Sequence, residues 1–154
     1  MISVRPATPD DADGMSAVIT PILRGWNSNR RGDAEHMLEN YIQRPHSIRC
    51  SVATSEGGQI IGFQSLVLAT KDNPYDTPVG WGIIGTYVAL DAGRGGIGRA
   101  LFSASQNAAL TAGLETIEAA IGDTNELGLA YYGAMGFRTY AAEPGLIRKR
   151  FDLF

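Results

Sequence analysis

Four glycines fall within six residues in ALDAGRGGIGRALF, at Gly93, Gly95, Gly96 and Gly98. A glycine-rich loop that opens a helix presents backbone N–H groups and the positive end of the helix dipole, so its natural ligand is an anionic phosphate. Two such ligands fit the spacing. Gly93, Gly95 and Gly98 spell the G-x-G-x-x-G of a dinucleotide site, while Gly96 and Gly98 ahead of a helix fit a loop that grips the pyrophosphate of coenzyme A. Glu118 stands about 20 residues past the last glycine, the offset of a ribose-binding acid. It falls inside the strand-like ETIEAAI rather than at its far end, however, and four predicted strands precede the loop. That leaves little chain for a dinucleotide fold to continue. No Gly-Lys-Ser/Thr follows the glycines, which excludes a P-loop. Cys50 is the single cysteine, ruling out an internal disulfide and multi-cysteine metal motifs. His36 and His46 stand in no ligand pattern, so no metal is expected.

The elements that must position this loop come from a chain sized for one domain. With 154 residues and 44% hydrophobic composition, residues 1–154 are expected to form a single unit with a sizeable core. Thirteen Lys and Arg against 16 Asp and Glu give a net charge of -3, so no general basic field exists to hold nucleic acid or an anionic membrane. The run Arg148, Lys149, Arg150 reads as a solvated strand face. No apolar run approaches the ~20 residues of a membrane span, and MISVRPATPDD lacks the basic head and apolar stretch of a signal peptide. A soluble cytoplasmic protein is expected.

Periodicity lays out the chain. Ile2 to Arg5 alternates as a strand, after which Thr8, Pro9 and Asp11 form the start signal of a helix with Ala12, Met15, Val18 and Ile19 on one face. Pro21 or the Gly25 region breaks or ends it. Asp33 caps a second helix carrying Met37, Leu38, Tyr41 and Ile42, closed by Pro45. SIRCSVAT and QIIGFQSLVLA flank the turn SEGG as a hairpin. The nearly continuous apolar run from Trp81 to Leu90 suggests a strand covered on both faces. A helix from Gly98 to Ala112 stops at Gly113, ETIEAAI is the next strand, and NELGLAYYGAMGF is a helix ended by Gly136 with Phe137 folding back. FRTYAA and LIRKRFDL supply two last strands. The order β-α-α-β-β-β-α-β-α-β-β predicts an α/β (α+β) fold, one mixed sheet with helices on both faces. Strand 81–90, helix 98–112 and strand 116–121 form a parallel crossover, placing the glycine loop at the carboxyl end of a central strand.

Two motifs at a consistent separation, TYVALDAGRGGIGRAL and NELGLAYYGAMGF, resemble the GNAT superfamily of N-acetyltransferases, whose sheet is mostly antiparallel. The second supplies Asn125, Tyr132 seven residues later, then Gly136 and Phe137. The order of elements matches along essentially the whole chain, with phosphinothricin or amino-acid acetyltransferases the most similar type. One departure is Gly93, where the family usually has Gln or Arg; Arg94 follows one residue later. The resemblance implies acetyl-CoA as cosubstrate and a small-molecule amine as acceptor. It implies that the backbone of Thr86, Tyr87 and Val88 runs beside the pantetheine arm, with a Val88 N–H near the oxyanion. Arg94, Gly95, Gly96, Ile97, Gly98 and Arg99 would cradle the pyrophosphate, and Asn125 would hold the cofactor arm or cap the last helix. Tyr132 would act as general acid toward the departing thiolate. Glu118 and Asp123 lie near the expected cleft but read as surface or structural residues. Substrate choice is expected to rest on the segment Arg24 to Gly32, with Trp26 and Asn27, and on the loop Lys71 to Gly80 before Trp81, the two tryptophans being candidates to shape a pocket for a small apolar amine. The rival readings are an NAD(P)-binding oxidoreductase and a non-catalytic acyl-CoA-binding module. A C-terminal strand such as LIRKRFDLF is an expected pairing edge for a homodimer.

Overall fold

The computed structural model describes residues 2–92 and 95–154. Its elements are β1 (Ser3–Pro6), α1 (Ala12–Gly25), α2 (Ala34–Met37), β2 (Ser47–Thr54), β3 (Ile60–Leu68), β4 (Gly82–Val88), α3 (Ile97–Thr111), β5 (Thr116–Gly122), α4 (Glu126–Met135), β6 (Arg138–Glu143) and β7 (Leu146–Asp152). The strands form one seven-stranded sheet in the order β1-β2-β3-β4-β5-β7-β6. Every neighbouring pair is antiparallel except β4 with β5. This is the predicted element order and a mostly antiparallel mixed sheet. It is not the parallel, doubly wound sheet that a dinucleotide site requires.

Helices cover both faces because the central strands are apolar on both. On one face, Met15, Val18, Ile19, Ile22 and Leu23 of α1 pack with Met37 against Cys50, Val52, Phe63 and Tyr87. On the other, Phe102 and Ala109 of α3 pack with Leu66, Ile84, Ile117, Ala119 and Ile121. Each fully buried aliphatic or aromatic side chain contributes about 1.5–3 kcal/mol. Ile84 and Tyr87 therefore tie β4 to opposite layers, as the unbroken apolar run from Trp81 predicts.

Three local outcomes bear on the site. α1 continues through Pro21 and ends at Gly25. The second helix is α-helical for only one turn before a π-helical turn over Leu38–Ile42, closed by the Gln43 N–H donating to the Leu38 carbonyl at 2.8 Å. The wider turn sets the Tyr41 ring edge-on to Phe63 and Tyr87, at 5.4 and 6.1 Å between centroids. α3 is ended by Gly113 at φ +76° and α4 by Gly136 at φ +104°, the left-handed conformation that favours glycine.

Candidate active site

The site begins where the sheet opens. β4 and β5 pair only at Gly82 with Ile117 and Ile83 with Glu118, although both strands continue. On its other edge β4 stays paired with β3 to Val88. The Ala89 N–H donates to the Ile61 carbonyl at 2.9 Å and the Ala69 N–H to the Trp81 carbonyl at 2.8 Å. By the alternation of an antiparallel ladder, odd-numbered residues of β4 bond to β3 and even-numbered ones face away. Thr86 and Val88 thus direct peptide groups into the opening beside β5. Tyr87 directs its own toward Phe63. A chain-like ligand with amide groups could pair with this edge as an added strand does.

The glycine loop lies beyond the end of β4. Gly96 caps α3 in the left-handed conformation, φ +82°. The Ala100 N–H is the donor to the Gly96 carbonyl, at 3.0 Å, so the N–H groups of Ile97, Gly98 and Arg99 have no acceptor inside the helix. These donors and the dipole of a 15-residue helix form an anion-binding end. The Ile97 side chain is buried beside Leu101, leaving its backbone for a ligand. Gly95 and Arg99 are exposed. Gly98 is needed for a close approach: a Cβ there would lie 2.5 Å from Cε1 of Tyr131. Gly93 and Arg94, and with them the predicted charge contact of Arg94, lie outside the described residues.

α4 brings two tyrosines to this opening, and their hydroxyls are differently engaged. Tyr131 donates to the Gly98 carbonyl at 2.7 Å and accepts from Gln64 Nε2 at 3.0 Å. Tyr132 shares a 2.8 Å bond with Oγ1 of Thr86. Gln64, fully buried in β3, also donates to Thr86 Oγ1 at 2.8 Å and accepts through Oε1 from Ser105 of α3 at 2.6 Å. This network joins β3, β4, α3 and α4. Burial pushes the Tyr131 phenol up to about 12 and Tyr132 above its ordinary range, so both are neutral at pH 7. Asn125 caps α4, its Oδ1 accepting from the Gly128 N–H at 3.0 Å. That oxygen is committed, and the amide nitrogen is what remains for a ligand.

On the α1 side of β4 lies a cavity of about 80 Å³ whose lining includes Arg30, Tyr41, Arg44, Tyr75, Gly85 and Tyr87. Arg30 donates through Nη2 to the Tyr87 hydroxyl at 2.8 Å and the Tyr41 hydroxyl at 3.2 Å. The wall carrying Tyr75 is held from within. Asn73 Oδ1 accepts from the Tyr75 and Thr77 N–H groups at 3.2 and 2.9 Å, and Arg148 donates to the Tyr75 carbonyl.

Glu118 sits under this wall, fully buried. Its Oε1 accepts from Thr77 at 2.6 Å and Arg148 at 2.8 Å, and its Oε2 from Tyr140. Glu118 is therefore structural, neither a ribose ligand nor a free base, while Asp123 is exposed. The Arg148 to Arg150 run is not simply a solvated face. The Arg148 side chain is 12% exposed in the Glu118 pair, and Arg150 stacks over Trp81 at 4.7 Å. Neither tryptophan lines the cavity, since Trp26 is 44% exposed and lies tilted 6.4 Å from Tyr87. The segments Arg24 to Gly32 and Lys71 to Gly80 do reach the cavity, through Arg30 and through Pro74 and Tyr75, whereas sequence reading missed Gln64 and Ser105. The readable signal for both was polarity on the buried face of an apolar strand and helix.

Fold and site together define an acyltransferase. The chain belongs to the acetyltransferase (GNAT) family, whose pattern matches residues 19–137. No curated protein matches it at a significant level. Among solved structures it is similar to yncA of Salmonella typhimurium, solved with its cofactor acetyl-CoA, at 19% identity and a TM-score of 0.81, covering 99% of this chain and 94% of that one. It is similar to a GCN5-related N-acetyltransferase from Kribbella flavida, at 20% identity and a TM-score of 0.79, covering 98% and 97%. The paiA N-acetyltransferase of Thermoplasma acidophilum, in complex with coenzyme A, aligns at 15% identity and a TM-score of 0.79 over 99% of both chains. These likenesses establish the fold. Among the described residues, no helix is long and apolar enough to cross a membrane, and no cluster of three or more metal-ligating side chains occurs.

Proposed function

We propose that residues 1–154 act as one N-acetyltransferase domain that moves an acetyl group from acetyl-CoA to the primary amine of a small molecule by direct attack, with Tyr132 as general acid. The single observation carrying this reading is the contrast between adjacent phenols. Tyr131 has given its one hydrogen to the Gly98 carbonyl, whereas Tyr132 bonds only to Thr86 on the unpaired edge of β4. Thr86 Oγ1 already accepts from Gln64, so its own hydrogen can point at the Tyr132 oxygen and leave the Tyr132 proton free. A neutral, buried phenol is a proton donor and not a base.

The residues present fit an acyl-CoA. The free N–H groups of Ile97, Gly98 and Arg99 suit the pyrophosphate, with Gly95, Gly96 and the region of Arg94 completing the loop. The even-numbered peptide groups of Thr86 and Val88 suit the amides of the pantetheine arm, with Val88 N–H toward the oxyanion. Tyr87 belongs to the acceptor side by its ring. The Asn125 amide nitrogen, its oxygen being committed to the Gly128 N–H, would be the group to hold the arm. Acetyl-CoA supplies a thioester whose carbonyl accepts the amine. The C–N bond would form, the C–S bond break, and the sulfur take the Tyr132 proton, while the nitrogen releases its proton to water and Tyr132 regains one from water.

The test combines binding and turnover. Acetyl-CoA at 100 times its dissociation constant should stabilise the fold by about 2.7 kcal/mol. For a chain of this size that is a rise in Tm of roughly 5–10 °C. Thiol release should then appear with members of a primary-amine panel. No thermal shift at saturating acetyl-CoA would refute the reading.

A further inference from the structure

The cavity wall that carries Tyr75 belongs to a stretch without helix or strand between β3 and β4, and its hold on the sheet runs through one buried pair. The base of the stretch is closed by the Gly80 N–H donating to the Ala69 carbonyl at 3.0 Å. Above it Asn73 ties the backbone to itself. Its Oδ1 accepts from the Tyr75 and Thr77 N–H groups, and its Nδ2 donates to the Thr70 and Thr77 carbonyls, both at 2.9 Å. Among the described residues, two hydrogen bonds join residues 73–77 to another element. The Thr77 hydroxyl donates to Glu118 Oε1 at 2.6 Å, and Arg148 Nη2 donates to the Tyr75 carbonyl. Arg148 is spent in three directions: Nη1 on Glu118 of β5 at 2.8 Å, Nη2 on the loop, and Nε 3.5 Å from the Glu143 carboxylate of β6. Three nitrogens holding three elements is a task for a planar fork and not for a point charge.

The pair stands where the sheet opens. Glu118 is opposite Ile83 at the last paired position of β4 and β5, and Ile83 lines the cavity. Ile117, Ala119 and Ile121 pack on the α3 face, so by alternation Glu118 faces the cavity's side of the sheet. Yet neither Glu118 nor Arg148 lines the cavity. A buried ion pair is costly to desolvate, and apolar side chains would brace β5 against β7 as well. What the ionic pair adds is direction, since both of its members bond out of the sheet to the loop. Resting on the acetyltransferase reading, in which the acceptor reaches the opening from this cavity, we propose that Glu118 and Arg148 are positioning residues for acceptor binding: they set where the Tyr75 wall stands, and so how tightly the amine is held. They act through the wall and touch neither Tyr132 nor the glycine loop. Loosening the wall should therefore weaken acceptor binding and leave the proton transfer and the hold on coenzyme A as they are.

The experiment compares the intact wild-type protein with two variants that each cut one anchor. Arg148→Lys keeps a positive charge beside Glu118 but has one nitrogen for three partners. Thr77→Val keeps the branched shape and removes the hydroxyl that reaches Glu118, and it decides alone if Arg148→Lys does not fold. Arg5→Lys, which breaks the fork on Asp11, controls for a general loss of stability. Amide hydrogen exchange, read by mass spectrometry on peptides covering residues 71–80, needs no substrate. It should quicken by roughly tenfold or more in both anchor variants, the scale of one bond to a charged group, and not in Arg5→Lys. Thiol release with acetyl-CoA and the best amine of a panel should show KM for the amine raised by roughly three- to tenfold, with kcat and affinity for acetyl-CoA within about twofold. Unchanged exchange or unchanged KM in either folded anchor variant overturns the proposal and leaves the acetyltransferase reading intact. So does a rise in KM that Arg5→Lys reproduces at equal loss of Tm. If the wild type acetylates no amine, the acetyltransferase reading fails and the proposal falls with it.

Discussion

The two adjacent tyrosines allow catalytic and structural roles to be separated by one atom each. In Tyr132→Phe the ring keeps its contacts with Tyr131 and Phe137, at 4.9 and 5.1 Å between centroids, and only the bond to Thr86 is lost. Thr86 Oγ1 retains the Gln64 donor. The stability cost is that of one buried neutral hydrogen bond, about 1 kcal/mol, or a fall in Tm of roughly 2–4 °C. If Tyr132 protonates the departing thiolate, kcat should fall by about 10²–10⁴ while affinity for acetyl-CoA is little changed, because no loop N–H is touched. Tyr131→Phe should behave in the opposite sense. It removes a donor from the Gly98 carbonyl and an acceptor from Gln64, so stability falls by roughly 1–3 kcal/mol, and coenzyme binding weakens as the first turn of α3 loses its strut. Its kcat should stay within about tenfold, since the bond it loses is not made to a reacting group. Steady-state thiol release with acetyl-CoA and amine both varied, alongside urea unfolding, measures all four quantities. A Tyr132→Phe protein retaining kcat within a factor of three would refute the assignment, as would a Tyr131→Phe protein that loses as much.

The close packing of α3 on α4 predicts that Gly98→Ala costs up to about 2 kcal/mol, overpacking against Tyr131 outweighing the helix gained, and reduces the thermal shift from acetyl-CoA. Gly95→Ala, whose Cβ would meet nothing nearer than Ile2 Cδ1 at 3.7 Å, should leave stability unchanged; equal Tm values for the two variants would contradict the packing argument. The Arg5 guanidinium, bonded to both oxygens of Asp11 at 2.8 and 2.9 Å, holds that carboxyl below the usual carboxylate range. A folded pKa below the unfolded ~3.9 means stability that is present above about pH 4 and lost as pH falls through the folded value. Urea midpoints from pH 7 to 3 should therefore drop less steeply in Asp11→Asn than in the wild type, and parallel curves would count against the pair. Burial pushes the Cys50 thiol up to about 12, so native protein at pH 8 should not react with a disulfide reagent until urea unfolds it. Immediate reaction of one thiol per chain would show the core to be open there. Silence from Cys50 would also mean that thiol release reports coenzyme A alone.

Much of the fold was legible because local signals and burial agreed. SIRCSVAT is β2 to the residue, and Asn125, Gly113 and Gly136 cap where expected, each for a backbone reason confined to a few neighbours. The opening between β4 and β5 was not legible. Hydrophobic period reports which face of a strand is buried, and it says nothing of how many residues a parallel neighbour stays paired. Arg148 was misjudged for a related reason: alternation placed it on a strand face, but its burial depends on Glu118, 30 residues away, and on the Tyr75 loop that arches over both. Trp26 and Trp81 drew attention by type, whereas the cavity is built from tyrosines and arginines on four separate segments.

Gln64 shows how such a site could be found earlier. A fully buried amide in an apolar strand is costly unless each polar atom is answered, and its oxygen and nitrogen are, by Ser105, Thr86 and Tyr131. An apolar residue of similar size could fill the same space without needing three partners on three other elements. What the amide adds is direction: it donates to both hydroxyls, which obliges Tyr131 to turn its hydrogen to Gly98 and frees Thr86 to turn its own to Tyr132. A polar residue that interrupts the apolar face of a central strand beside a glycine loop is thus a pointer to where hydrogens must be aimed, and here it points at the phenol beside the unpaired edge of β4.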